Sequence, residues 1–420
     1  MKHGFWIRMK TIVDKNPELQ KFMARQPILD RHQLVLGYEL LFRSSLDNYF
    51  QSPCDEQASQ HVVNKYLVMG IETLTGGRKA FINFTRQALL RDYPTLLPCK
   101  QVVVEILEDI QPDDDILAAC RRLKRAGYTI ALDDFSFKKT ANTLTAYADI
   151  IKVDFRATPP VEREALVRRF SPHGVKMLAE KVETQREAAD AQHLGYTYFQ
   201  GYFFCKPQVF LTSSIPGFKL NYLRILQAIN REEVDFREVE EILRQEPSLL
   251  YKLLRYLNSA GFALRGQVTS IRHILALLGE RNLRKWTSIV AMLDLAGDKP
   301  AELVVTSLTR ARFCELLARP LDLYKRETDL FLLGLLSVMD AILNRPIEDI
   351  LAGLPVTKEV KAGLLAANNR FCHVLNAAVA LERGDWDGLR DCIDYLEIDE
   401  ESLQDLYLQA IKWARSIFDR

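Results

Sequence analysis

Apolar residues in the first half of the chain gather into short, nearly continuous runs: Leu34–Phe42, Lys79–Phe84, Gln101–Leu107, Thr129–Asp134, Ile150–Phe155, Lys176–Val182 and Tyr198–Phe204. Between most of them lie helix-compatible stretches such as Asp113–Ala126 and Glu162–Phe170, the alternation of βα units around a parallel sheet. VVVEIL and IIKVDF are apolar almost throughout, as strands covered on both faces are. After Phe204 the pattern changes. The segment Cys205–Gly217 carries two prolines, two serines and a glycine, and beyond it the helical period replaces the strand signal. That period predicts helices at Lys219–Ile229, Phe236–Glu246, Pro247–Asn258, Ser270–Leu278, Glu280–Leu295, Leu303–Ala318, Glu327–Leu343, Lys358–Ala366, His373–Glu382, Trp386–Tyr395 and Ser402–Phe418. Asp235, Ser270 and Glu246-Pro247 supply start signals, and Gly261, Gly279 and Gly297 supply stops. The expected architecture is α/β plus all-α, a TIM-like (β/α) barrel over residues 21–207 followed by an all-helical domain over 213–420.

The runs end in polar groups: Glu39, Asn83, Glu105, the pair Asp133-Asp134, Lys152 with Asp154, Glu180 and Gln200. A charge inside an apolar run must be paired, metal-bound or at the strand end. In a closed parallel barrel those ends share one mouth, where such folds carry their chemistry. The donors are oxygens, with no His or Cys among them, which suits Mg²⁺ or Mn²⁺ and argues against zinc. Asp133 and Asp134 would repel each other in an apolar mouth unless cations sat between them. Two metals about 3.5–4 Å apart would clamp the attacking and departing oxygens of a phosphoryl transfer. Lys152 would orient the water or stabilise charge on the phosphate. Structural roles stay open for several of these: Asp134 or Glu183 as a helix cap, Glu108 as a solvated loop acid, Lys152 as an exposed strand-end lysine.

Composition narrows the picture. The 420 residues are 48% hydrophobic and 26% charged, enough for two cores. With 56 basic and 55 acidic side chains no global field favours nucleic acid or an anionic membrane. The seven cysteines show no CxxC spacing and are expected to be reduced thiols. No apolar run is long enough for a signal peptide or a membrane span, so a cytoplasmic protein is expected.

The strings YELLFR (38–43), FINFT (81–85), VEILE (104–108), LDDF (132–135), IKVDF (151–155), AEKVET (179–184) and FQGYFF (199–204) resemble, in order, the motifs of the EAL domain. That family is the bacterial phosphodiesterase that opens cyclic di-GMP to linear pGpG. The resemblance implies Glu39, Asn83, Glu105 and Asp133 as ligands of one metal and Asp133, Asp134 and Glu180 around a second. It implies Lys152 assisting the attacking water and Arg43 binding a phosphate. Asp154, Glu183 and Gln200 would orient metal-bound water or line the site, and Glu108 would hold the loop after Asp134. Three places depart from the family pattern, the first being the name motif itself, which reads Glu39-Leu40-Leu41 and keeps the acid while altering only an apolar neighbour. Phe135-Ser136-Phe137-Lys138 stands where Phe-Gly-Thr-Gly is usual, and Lys181 replaces a glycine.

The second half resembles the HDOD domain, a helical relative of HD phosphohydrolases, through Leu257-Asn258-Ser259-Ala260, Ser270-Ile271 and Leu278-Gly279. Its two histidines, His273 and His373, are not followed by Asp, and Ser337-Val338 stands after Gly334-Leu335-Leu336 where an HD pair would be needed. An interaction module is implied, binding an unidentified signalling protein and no metal, with a homodimer as a further expectation. Two function classes follow: a metal-dependent cyclic di-GMP phosphodiesterase, or a weak or silent barrel serving as cyclic di-GMP receptor or scaffold.

Overall fold

Eight strands close a barrel: β1 (Phe22–Asp30), β2 (Val35–Arg43), β3 (Lys79–Phe84), β4 (Val102–Ile106), β5 (Thr129–Leu132), β6 (Ile150–Asp154), β7 (Lys176–Glu180) and β8 (Tyr198–Gln200), paired in sequence order. The computed structural model describes residues 22–43, 71–137, 143–206, 217–231, 233–246, 250–252 and 271–418. Most of the linker, the Leu257–Ala260 string, Ser270, Lys138 and the side chains of Arg43 and His273 lie outside the described residues.

Each of the seven anticipated strands is present, but the barrel is not all parallel. β1, which the apolar runs did not reveal, is antiparallel to both β2 and β8, whereas β2 through β8 run parallel. The sequence FMARQPILD hides a strand because Arg25 and Gln26 interrupt its apolar pattern. β5 and β8 also stop short of expectation, leaving Asp133 and Asp134 just beyond the sheet.

Helices α1 (Asp114–Arg125), α2 (Pro160–Phe170) and α3 (Gln185–Leu194) follow β4, β6 and β7. In α1 the Asp113 carboxylate caps the Ile116 amide, acids fill the first turn and bases the last, and Ile116, Ala119, Cys120 and Leu123 form the buried stripe. In α3, Thr184 and Glu187 form a reciprocal capping box, so the helix cap is Thr184 and not Glu183.

The second half is helical throughout its described residues. Its longer elements are α4 (Gly217–Ile229), α5 (Phe236–Gln245), α6 (Ile271–Leu295), α7 (Ala301–Leu317), α8 (Glu327–Leu336), α9 (Arg370–Arg383), α10 (Trp386–Leu396) and α11 (Glu400–Phe418). Gly279 breaks α6 with φ 65° and ψ 165°, at the expected stop. The single helix expected over Glu327–Leu343 is two, because the chain leaves α8 at Ser337 and restarts at Met339.

β1 and β2 are the wall on which the helical half packs. Phe22 lies 6.0 Å from Trp386, the Met23 amide donates to Gln404 Oε1 at 3.0 Å, and the Tyr38 hydroxyl donates to Glu302 Oε2 at 2.7 Å. Arg25 is buried there, its guanidinium 4.3 Å over the Tyr38 ring and 3.8 Å from Glu302. Phe22 and Met23 are fully buried, which contributes roughly 1.5–3 kcal/mol each. A single apolar cluster therefore runs through both halves. Among the described residues no helix is long and apolar enough to cross a membrane, and Cys99, Cys120, Cys205, Cys314, Cys372 and Cys392 are free thiols.

Candidate active site

Inside the barrel, Ile28, Phe81, Val103, Ala131, Ile150 and Leu178 form an apolar plug separate from the outer core. Side chains alternate faces with period two, so the next inward layer lies two residues along each strand. That layer is Asn83, Glu105, Asp133, Lys152 and Glu180, with Gln26 joining from the antiparallel β1. Register aligns it: Asn83 pairs with Glu105, Gln26 with Glu39, and Asp154 with Glu180. An apolar floor thus carries a polar storey.

Lys152 is the centre of this storey and is fully buried. Its Nζ stands 2.7 Å from Asp133, 2.9 Å from Glu105, 2.9 Å from Glu180 and 3.4 Å from Glu39. These are ion-pair distances without hydrogen-bond directionality. Glu39 is further fixed by Asn83 Nδ2 at 3.1 Å and Gln200 Nε2 at 2.6 Å, and Gln200 Nε2 also donates to Gln26 Oε1 at 2.9 Å.

Four carboxylates face one ammonium, so negative charge is in excess. Burial pushes Glu105 well up, with Glu39 and Asp133 adding to it against Lys152. Burial likewise pushes Glu180 up to about 8, Lys152 opposing. Burial pulls Lys152 down, but Glu105, Glu180, Glu39 and Asp133 outweigh it and raise it. The four acids thus favour the charged form of Lys152, while burial and mutual repulsion favour the protonated forms of Glu105 and Glu180.

A second group lies beside the first. Asp134, at φ 40°, and Lys181, at φ 56°, are both in the left-handed region. The Lys181 ammonium sits 2.5 Å from Asp154 Oδ2, while Asp154 Oδ1 accepts from the Arg156 and Ala157 amides at 2.7 and 2.9 Å. Asp154 is held low: burial raises it, and the Lys181 and backbone hydrogen bonds more than offset this. Burial pushes Asp134 up, Lys181 opposing, and Asp133, Asp154 and Glu108 adding to it. Glu108 is thus an electrostatic neighbour of Asp134. Glu183 sits at the rim, its carboxylate 2.5 Å from Arg156.

The mouth above these groups has a volume of about 390 Å³ and is lined by Gln26, Glu39, Leu41, Asp133, Asp134, Arg156, Glu180, Lys181, Glu183, Gln200, Gly201, Tyr202 and Arg383. A larger cleft of about 700 Å³ opens between Arg31–Leu34 and Gly297–Ala301; its one acid, Asp298, is taken by Lys219 at 2.6 Å. The smaller cavity is where convergent acids, a buried lysine and shifted pKa values coincide.

The structure brings Glu39, Asn83, Glu105, Asp133, Lys152, Glu180 and Gln200 together, with Asp134 and Asp154 adjacent, Glu183 at the rim and Glu108 behind Asp134. Lys152 is not an exposed strand-end residue, and Asp134 caps no helix. Sequence reasoning missed Gln26, Arg156, Tyr202 and Arg383. Gln26 was legible only once β1 was known, and Arg383, from the other domain, carried no local signal. In the helical half, Ser337 accepts from Arg310 Nη1 at 3.2 Å and donates to the Gly334 carbonyl at 2.7 Å, so an arginine stands against this serine.

The EAL domain model matches residues 68–207 and the HDOD domain model residues 215–374. The uncharacterized protein YuxH of Bacillus subtilis is 34% identical over 96% of this chain and 100% of its own length. The cyclic di-GMP phosphodiesterase CdgJ of Vibrio cholerae is 34% identical over 94% of this chain and 93% of its own. Among solved structures, Klebsiella pneumoniae BlrP1 in a calcium and cyclic di-GMP complex is 23% identical over 45% of this chain and 57% of its own, with a TM-score of 0.38. With both domain models matched in order and a curated relative aligned from end to end, the chain belongs to the EAL–HDOD family of two-domain proteins.

Proposed function

We propose that the chain is a metal-dependent phosphodiesterase that hydrolyses cyclic di-GMP to linear pGpG. The observation that carries this is the buried layer in which Glu39, Glu105, Asp133 and Glu180 surround Lys152 at the barrel mouth. The oxygen-only donor set suits Mg²⁺ or Mn²⁺, and Asn83 Oδ1 and Glu105 Oε2 are buried without a hydrogen-bond partner, as atoms awaiting a cation would be. Among the described residues no three acids stand ready-made around one point. The Lys152 ammonium holds their centre, so cation binding exchanges ion pairs with Lys152 for ligand bonds.

Glu39, Asn83, Glu105 and Asp133 would hold one ion and Asp133, Asp134 and Glu180 a second. Bound divalent ions supply Lewis acidity toward the phosphate and a more acidic water. Lys152 would orient the attacking water and neutralise developing charge as the water oxygen bonds phosphorus and the ester bond to the 3′ oxygen breaks, the proton lost by the water ending on the departing 3′ oxygen as its hydroxyl. Gln200 fixes the Glu39 carboxylate through its 2.6 Å hydrogen bond. Asp154 and Glu183 orient water at the rim, Glu108 supports the segment after Asp134, and Arg43 binds a ligand phosphate. The helical half serves as a partner-binding regulatory module in a cytoplasmic signalling protein that is able to dimerise.

The receptor or scaffold alternative is favoured by Lys181. Its ammonium lies against Asp154 and next to Asp134, where it competes with a second cation. One assay separates the two: purified protein, Mg²⁺ or Mn²⁺, cyclic di-GMP and chromatographic detection of pGpG. Product supports the enzyme; binding without product over hours supports the receptor.

A further inference from the structure

Arg383 is the last residue of α9, yet it lines the barrel mouth. Its position is fixed from both sides. Its carbonyl accepts from Gln26 Nε2 at 2.7 Å, and its guanidinium carbon lies 5.0 Å from the centre of the Tyr202 ring. Gln26 in turn accepts from Gln200, which donates to Glu39, so a chain of side-chain amides joins the α9 terminus to the carboxylate layer. Gly384, at φ 64°, ends the helix and packs toward Leu41 and Ala24 of the barrel wall.

The other cations of the mouth are committed to carboxylates: Arg156 to Glu183 and Lys181 to Asp154, with Lys152 below among its four acids. Among the described residues that line the mouth, Arg383 is the cation with no carboxylate partner. A planar guanidinium matches a phosphate through paired N–H donors. A cyclic dinucleotide carries two phosphates. With the acid layer and Arg43 addressing the phosphate under attack, the other remains an anion facing an acidic cavity.

We propose that Arg383 binds the phosphate that is not being hydrolysed, so that the helical domain completes the substrate site of the barrel. The assignment rests on the cyclic dinucleotide reading above. It gives the second domain a direct hold on substrate affinity, through α9, without any metal of its own.

The test uses the full chain, with Arg383→Ala and the uncharged Arg383→Gln, checked for unchanged melting. Cyclic di-GMP binding is measured by calorimetry with Ca²⁺ and turnover with Mn²⁺. Bis(4-nitrophenyl) phosphate, which has a single phosphodiester, serves as the second probe. Either variant should weaken cyclic di-GMP binding and raise KM by at least about tenfold with kcat within about twofold, while binding of the single-phosphate probe is unchanged. Arg383→Lys should recover part of the loss. Wild-type affinity in both neutral variants, or equal weakening toward both probes, overturns the role of Arg383. A wild-type protein that binds no cyclic di-GMP overturns the substrate reading itself, and this inference with it.

Discussion

Glu382 receives three hydrogen bonds from the Arg310 guanidinium, two from Nε at 3.1 and 3.0 Å and one from Nη2 at 2.6 Å, in a pair whose side chains are each 7% exposed. The pair lies under the domain interface, one residue from Arg383, and Arg310 also reaches Ser337. Glu382→Ala would leave a buried guanidinium uncompensated, and should destabilise the protein by about 3–5 kcal/mol in denaturant titration. The double variant Arg310→Met with Glu382→Leu should lose much less. Equal losses in the two would mean that the charges matter for more than each other.

Removal of Glu39 or Asp133 by alanine substitution should abolish turnover and leave the fold intact, since in the proposed mechanism both acids serve the ions rather than core packing. Lys152→Met should also stop turnover, and it removes the cation that holds four carboxylates together. The metal-free variant should therefore melt lower than wild type, and Mn²⁺ should raise its melting temperature by more than it raises that of the parent. Calcium should inhibit hydrolysis, because its looser coordination fits poorly where Mg²⁺ geometry is needed. Undiminished hydrolysis in any of the three variants would remove the site assignment.

The buried acids impose a pH dependence on the metal-free protein. Glu180 is pushed by burial up to about 8 from an ordinary 4.5, and Glu105 is pushed in the same direction. Unfolded Glu180 releases its proton near 4.5 and the folded state keeps it until about 8, so the folded state binds more protons across that window. Stability contributed by this group is complete below pH 4.5 and is lost as pH rises through 8. Thermal melting from pH 5.5 to 8 without metal should show the decline, and the gain on adding Mn²⁺ should grow with pH because the ion displaces those protons. A metal-free melting temperature that climbs over the same interval would contradict the assignment.

Gly201 should tolerate no side chain. Its φ is 142°, and a Cβ there would lie 1.9 Å from the Val182 carbonyl oxygen and 2.6 Å from the Val182 nitrogen. The clash falls between Gln200, which fixes Glu39, and Tyr202, over which Arg383 stacks. Gly201→Ala should lower both melting temperature and turnover, with the activity loss exceeding that of a remote variant matched for stability.

How much of this was legible beforehand follows from how far each signal reaches along the chain. Apolar runs are local, so those ending at Glu39, Asn83, Glu105, Asp133, Lys152, Glu180 and Gln200 announced the strands and the polar ends that share one mouth. Caps are local too: Asp235 marks the start of α5 and Gly279 a break in α6, both within a few residues.

The tertiary structure decided the rest. β1 could not be read because Arg25 and Gln26 look like loop residues until Glu302, Tyr38 and Gln200 are known to meet them. Whether Lys152 is a surface lysine or a buried hub depends on four acids from four other segments. Arg383 reaches the mouth only because α9 docks on β1. Apolar runs and capping are properties of neighbouring residues and are written in the sequence, whereas compensation of a buried charge is a property of space, and a partner hundreds of residues away leaves no local trace.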